Sequence, residues 1–336
     1  MTSSLGLITF EPLLLEKPWG GTRLHALVGA TPSATPVGEA WLCADLASTS
    51  ATGAGGGAIR SVVAHGPWRG HSLADVMRDH AEAILGAPQP DADAPQFPLL
   101  FKLLDAERNL SVQVHPSAEY AAEHPGAFLK SEAWYILESR GGRCYAGLTD
   151  IASRAALLEA ARAESLLPHL VTRDAAAGDA IMIPSGVVHA LGAGLTVFEV
   201  QTASDTTYRL YDWSRETGLP SRALHLEESA AAARLDQQPR WSRAKDDAEP
   251  VVQTEHFTLY ALRGASLPPL SALRDGGQGR RCLVVVPIGG AVTLRAGAES
   301  VSVPAQHAAL VPAALERVEL QRAGATEVLV TRVELP

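Results

Sequence analysis

The sequence predicts a mainly β protein: a barrel or jelly-roll domain with helical insertions, followed by a smaller β domain. Three observations carry this. Short runs of branched and aromatic residues recur along the chain, among them 97–104, 133–137, 180–183 and 284–286. The 29 glycines and 22 prolines cut those runs into strand-length pieces. Polar side chains two residues apart, such as Gln113 and His115, sit among apolar neighbours with the period of a strand whose faces differ.

Residues 7–65 read as short strands and loops, broken by KPWGG at 17–21, by Pro32 and Pro36, and by a Gly/Ala-rich stretch at 51–58. A helix is expected over 72–86: apolar residues at 73, 76, 77, 84 and 85 share a face, Ser72 and Asp75 are spaced as a capping box, and Gly86 supplies the stop. After a Pro/Asp loop, 97–104 reads as a buried strand leading to the one that carries Gln113 and His115. Two Ala/Glu-rich tracts, 153–167 behind Ser153 and 223–235, are expected to be helices that cover the sheets and carry no chemistry. The charged, Pro-containing stretch 237–250 marks a boundary, giving domains 1–245 and 246–336. In the second domain, β-prone runs at 284–286, 292–294, 301–303 and 328–330 alternate with turns, and His256 and His307 stand alone, so a small sandwich without metal is expected there.

Four residues in the first domain have the chemistry of one metal site. Gln113 and His115 point the same way from one strand, Glu132 heads the strand-like run 132–137, and His189 closes a G-x5-P-x-G-x2-H pattern from Gly178 through Pro184 and Gly186. That pattern is the hairpin of cupin-type folds. Two imidazoles, a carboxylate and an amide oxygen suit one Zn²⁺ per chain with an open position, and the same atoms accept Mn²⁺, Fe²⁺ or Co²⁺. Downstream, 198–215 interleaves polar and apolar residues: Arg209 and Arg215 offer fixed charge for a phosphate or an enediolate, and Glu199 and Asp205 offer orientation or proton transfer.

A formal net charge of −9 provides no global field for nucleic acid, so an anionic substrate has to be held by local cations. Lysine occurs only at 17, 102, 130 and 245, which makes Lys130 beside Glu132 conspicuous. Cys43, Cys144 and Cys282 are odd in number and far apart, as in a reducing compartment. No apolar run approaches membrane-spanning length and the N-terminus lacks a signal pattern, so a cytoplasmic protein without membrane partners is expected, by default a monomer.

Taken together, KPWGG, GEAW at 38–41, FPLLFKLLDA at 97–106, LSVQVHP at 110–116, KSEAWY at 130–135, the Gly178-to-His189 block and SDTTYRLYDW at 204–213 resemble, in this order, the type I mannose-6-phosphate isomerases of the short bacterial form. The resemblance covers about residues 7–230. It implies zinc on Gln113, His115, Glu132 and His189, Arg209 as catalytic, Lys130 and Glu199 lining the pocket, and Ser111 and Arg215 toward the substrate phosphate, with Glu39 of GEAW as a further pocket residue. The large helical insertion of longer relatives is missing between Glu132 and His189, and no glycine follows Trp41, departures that bear on substrate preference. The implied reaction is aldose–ketose isomerisation through a cis-enediolate. A sugar-phosphate-binding cupin without activity, an Fe²⁺ oxygenase, and an isomerase acting on another hexose or hexose phosphate are the alternatives.

Overall fold

The computed structural model describes residues 5–88, 95–213, 218, 222–244, 247, 249–264, 267–275, 279–324 and 326–335. The boundary expected at 245/246 and the candidate Arg215 lie outside them.

The architecture is mainly β, as the sequence predicts, and two antiparallel sheets of cupin type face each other in its first part. The larger has seven strands in the order β15 (Arg240–Arg243), β11 (Asp179–Ile183), β8 (Glu132–Ser139), β13 (Leu195–Thr202), β6 (Leu99–Ala106), β2 (Leu13–Gly21), β3 (Val37–Cys43). The smaller has five, in the order β10 (Leu170–Asp174), β9 (Arg143–Leu148), β12 (His189–Leu191), β7 (Val112–Val114), β14 (Tyr208–Tyr211). A two-stranded ribbon, β4 (Asp45–Leu46) with β5 (Ile59–Arg60), flanks them.

Both faces of the larger sheet are buried, and the period of two decides what each face does. Ala133 and Tyr135 of β8, Phe198 and Val200 of β13, and Phe101 and Leu103 of β6 enter one core together with Phe257, Val284 and Leu329 from the end of the chain. The alternate residues Trp134, Ile136, Val197 and Leu104 pack toward the smaller sheet, around Ala146 and Leu191. Each central strand therefore serves an apolar core with one face and the interior of the sandwich with the other.

The end of the chain forms a six-stranded sheet, β1 (Ile8–Thr9), β21 (Ala309–Val311), β18 (Leu283–Pro287), β23 (Val328–Val333), β17 (Phe257–Leu262), β16 (Val252–Gln253), and a three-stranded one, β20 (Glu299–Val303), β19 (Val292–Ala296), β22 (Glu319–Arg322). Its first strand comes from the chain's beginning: Ile8 pairs with Leu310 and Thr9 with Ala309.

Of the helices, α1 (Arg23–Leu27), α3 (Ala118–Glu123) and α6 (Leu270–Arg274) are one-turn pieces that the sequence pattern does not mark. The helix expected at 72–86 is α2 (Leu73–Leu85), with the Ser72–Asp75 capping box formed in both directions. Gly86 ends it at φ +80°, and a Cβ there would stand 2.0 Å from the Arg280 carbonyl oxygen, so both conformation and space require glycine. The tract at 153–167 is helical only as α4 (Arg154–Arg162), because Glu164 turns left-handed at φ +54°. The tract at 223–235 begins late, as α5 (Leu226–Ala232), because the backbone at His225 is not helical (φ −130°, ψ 61°), its N–H bonding to the Arg209 carbonyl.

Because Phe257 is fully buried in the core that backs the larger sheet, Phe257→Ala should destabilise the protein by about 3–5 kcal/mol. A fall in the urea midpoint at unchanged slope is the measurement.

Candidate metal centre and its cleft

His189 of β12 is the cross-strand partner of Gln113 on β7, and Gln113 is the partner of Arg209 on β14. These three side chains form a row across the smaller sheet. Glu132 enters from the larger sheet as the first residue of β8, and His115 follows β7 just before Pro116. One ligand atom from each of His115, Glu132 and His189 lies within 4.8 Å of the others, and all three residues are buried. The Nε2 atoms of His189 and His115 stand 3.1 Å and 3.5 Å from the two Glu132 oxygens.

The imidazole tautomers follow from what the other ring nitrogens meet. His115 Nδ1 lies 2.8 Å from the Thr206 carbonyl oxygen and His189 Nδ1 lies 2.9 Å from that of Val187. Carbonyl oxygens only accept, so each Nδ1 carries the proton and each Nε2 presents a lone pair. Burial first, then the Lys130 ammonium, pushes His115 down to about 3, so it is neutral at physiological pH. Burial alone would raise the Glu132 carboxyl, but the Lys130 ammonium 3.0 Å away outweighs it and holds the group well below the usual carboxylate range.

These residues fit a divalent ion. His115 Nε2 and both Glu132 oxygens are buried without a hydrogen bond, and only Oε2 has a positive partner, in Lys130, which is costly unless a cation meets the rest. Gln113 completes the set: its amide nitrogen is 3.2 Å from His189 Nε2, and a half-turn of the amide exchanges nitrogen for oxygen. All four expected ligands therefore come together.

Beside the centre lies a cleft lined by Lys17, Lys102, Lys130, Arg209 and Arg222 against Glu39, Glu199 and Asp205. Five cations face three carboxylates there. Ser111 lines it too, its hydroxyl 3.4 Å from the Gln113 amide oxygen. The wall is a charged row: Trp41, Lys102, Glu199 and Trp134 are consecutive cross-strand partners on β3, β6, β13 and β8. Lys102 Nζ is 3.0 Å from Glu199 and 3.7 Å from Glu39, and Lys17 caps Glu39 at 3.2 Å. The indoles of Trp134 and Trp41 donate to Glu199 and Glu39 at 2.9 Å and 2.7 Å. Burial opposes the charge on Glu39, yet Lys102 and Lys17 hold it down at about 2. Burial likewise opposes the charge on Lys102, yet Glu199 and Glu39 raise it above the usual lysine range.

Arg209 donates to the Thr52 carbonyl oxygen at 2.7 Å. Asp205 accepts from the backbone N–H groups of Ser50 and Ala54, both at 2.6 Å, and so ties the Gly/Ala-rich 51–58 stretch against the cleft. Lys102, Lys17 and Arg222 were not singled out as site residues from the sequence. Lys102 carried a signal, a lone charge inside an otherwise apolar strand. Arg222 carried none.

The model of the family described as phosphomannose isomerase type I, catalytic domain, matches residues 7–153. A mannose-6-phosphate isomerase of Streptococcus mutans is 34% identical over 262 residues, 74% of this chain and 78% of that protein. The crystal structure of the mannose 6-phosphate isomerase from Bacillus subtilis superposes with a TM-score of 0.81 at 26% identity, covering 98% of this chain and all of that one. A mannose 6-phosphate isomerase bound with zinc and yttrium shares the fold at a TM-score of 0.66 and 15% identity, over 98% of this chain and all of that one.

The folded-state value of Glu39 lies below its ordinary 4.5. Its contribution to stability is therefore present above about pH 4.5 and lost as the pH falls toward 2. Lys102→Met, which leaves two buried carboxylates facing each other, should cost about 3–5 kcal/mol at pH 7. Urea unfolding of both proteins across pH should show the difference shrinking once the solution is more acid than pH 4.5.

Proposed function

The chain belongs to the type I phosphomannose isomerase family, and from that premise we propose that it interconverts mannose 6-phosphate and fructose 6-phosphate, with zinc at Gln113, His115, Glu132 and His189. The observation that carries this reading is the buried convergence of His115, Glu132 and His189, with lone pairs on His115 and Glu132 that no hydrogen bond uses, beside a cleft rich in cations.

The reaction removes a proton from the carbon next to a carbonyl and returns one to its neighbour, through a cis-enediolate. A divalent ion held by these ligands supplies Lewis acidity to the sugar's adjacent oxygens. One carboxylate among four ligands leaves the centre net positive, in keeping with a developing anion. Arg209, next to Gln113 across the strands, adds a fixed charge in a site that excludes most water. Lys130 and Glu199 line the same cleft and are this chain's own groups for proton exchange, with Glu199 held in place by Lys102 and the Trp134 indole. Ser111 offers a hydroxyl, and the excess of lysine and arginine draws in a dianionic ester. Glu39 keeps Lys102 and Lys17 in register along the wall. The cytoplasm is the compartment that suits three buried, unpaired cysteines.

A coupled assay for conversion of mannose 6-phosphate to fructose 6-phosphate, with metal content measured on the same sample, tests the reading. Chelation should abolish activity and added zinc should restore it. Full turnover after exhaustive metal removal would overturn the proposal. Arg209→Ala should lower kcat by roughly two orders of magnitude or more with bound metal unchanged, whereas His189→Ala should lose the metal itself, read by elemental analysis.

A further inference from the structure

Arg215, which the sequence pointed to for the phosphate, lies outside the described residues; a further arginine stands in the cleft. Arg222 lines it alongside Ser111, Gln113 and Arg209. Asp212 fixes its orientation. The Arg222 backbone N–H donates to Oδ2 of Asp212 at 2.8 Å, and its Nε donates to Oδ1 and Oδ2 at 2.9 Å and 3.2 Å. Its Nη2 also donates to Oδ1. A guanidinium carries donors along more than one edge, so this pairing sets its plane without removing its charge.

Arg209 is the second half of the arrangement. One of its terminal nitrogens is spent on the Thr52 carbonyl, while its Nε is buried without an acceptor. Burial pushes the Arg209 guanidinium below its ordinary value, and the charge on Arg222 pushes it further, so the two cations feel each other. Two like charges on one wall, one with an unused buried donor, suit an anion with several acceptor oxygens. Among the described residues, the nearby carboxylates are engaged elsewhere: that of Asp212 is turned to Arg222 and that of Asp205 to the backbone of Ser50 and Ala54.

We propose that Arg222, positioned by Asp212, binds the phosphate of the substrate together with Ser111, with Arg209 contributing the neighbouring positive charge, and so sets the preference for phosphorylated over free hexose. This rests on the isomerase reading above. Asp212 acts through Arg222 and is a positioning residue.

The test compares the zinc-loaded wild type with Arg222→Ala, Arg222→Lys and Asp212→Asn, using mannose 6-phosphate, free mannose and inorganic phosphate as probes. Losing one charge-assisted contact should raise the KM for mannose 6-phosphate, and the inhibition constant of inorganic phosphate, on the order of tenfold to a hundredfold, with a far smaller change in kcat. The ratio of kcat/KM for phosphorylated over free hexose should fall by a similar factor. Arg222→Lys, which keeps the charge and loses the fork, should fall between wild type and Arg222→Ala, as should Asp212→Asn; it also serves if the alanine variant does not fold. An unchanged KM and phosphate inhibition constant, or an equal loss of kcat/KM for both sugars, would overturn the proposal. Calorimetry with inorganic phosphate keeps this outcome apart from that of the reaction itself. A wild type that binds phosphate through Arg222 but turns over neither sugar would refute the isomerase and leave the anion site standing, whereas a wild type that binds no phosphate would refute the site.

Discussion

Everything in the interior of this sandwich is arranged around a carboxylate that has no access to water. Glu132 is fully buried, and a buried charge persists only where opposite charge meets it. Lys130 on the same segment meets that demand from one side, while the lone pairs of two imidazoles face the carboxylate from the other, an arrangement that a cation between them would reconcile. The demand also explains the strand order. Glu132 has to begin a central strand, so that β12 and β7 of the facing sheet can bring His189 and Gln113 over it.

The cleft wall obeys the same rule on a larger scale. Lys17, Glu39, Lys102 and Glu199 alternate in sign, each within 4 Å of the next, and tryptophan indoles donate to both carboxylates. Such a ladder holds ionised groups in a place that water barely reaches, and it does so without flexible surface side chains. Because the opposite faces of the same strands belong to the apolar core shared with the end of the chain, the wall is stiff. A stiff, charged wall costs little reorganisation when a charge appears beside it.

Much of this was legible in the written chain, for reasons that differ between residues. The residues that converge could be read because Gln113 and His115 stand two apart on one strand, Glu132 heads another, and His189 closes a G-x5-P-x-G-x2-H turn. The helix at 72–86 could be read because its cap, apolar face and glycine stop are all local. Lys102 could be read only as an anomaly, since its partners Glu39 and Glu199 are set by the pairing of three strands far apart in sequence. The register of β3, β6 and β13 is a property of tertiary packing, and no window of sequence contains it. The early end of α4 was missed because nothing in its composition foretells the left-handed turn at Glu164, and the late start of α5 because the non-helical backbone at His225, which docks on Arg209, has no local sequence mark.

The two imidazoles are aimed by the main chain. Thr206 and Val187 hold them through carbonyl oxygens, which every amino acid at those positions would supply. Side-chain replacement at either residue leaves that grip in place, so a scan by alanine substitution would pass over the parts that steer the ligands. Drift in the path of the two loops, by insertion, deletion or an altered turn, is what would misdirect them. The vulnerability of this centre is therefore written in loop length and backbone course, where comparison of residue identities does not register it.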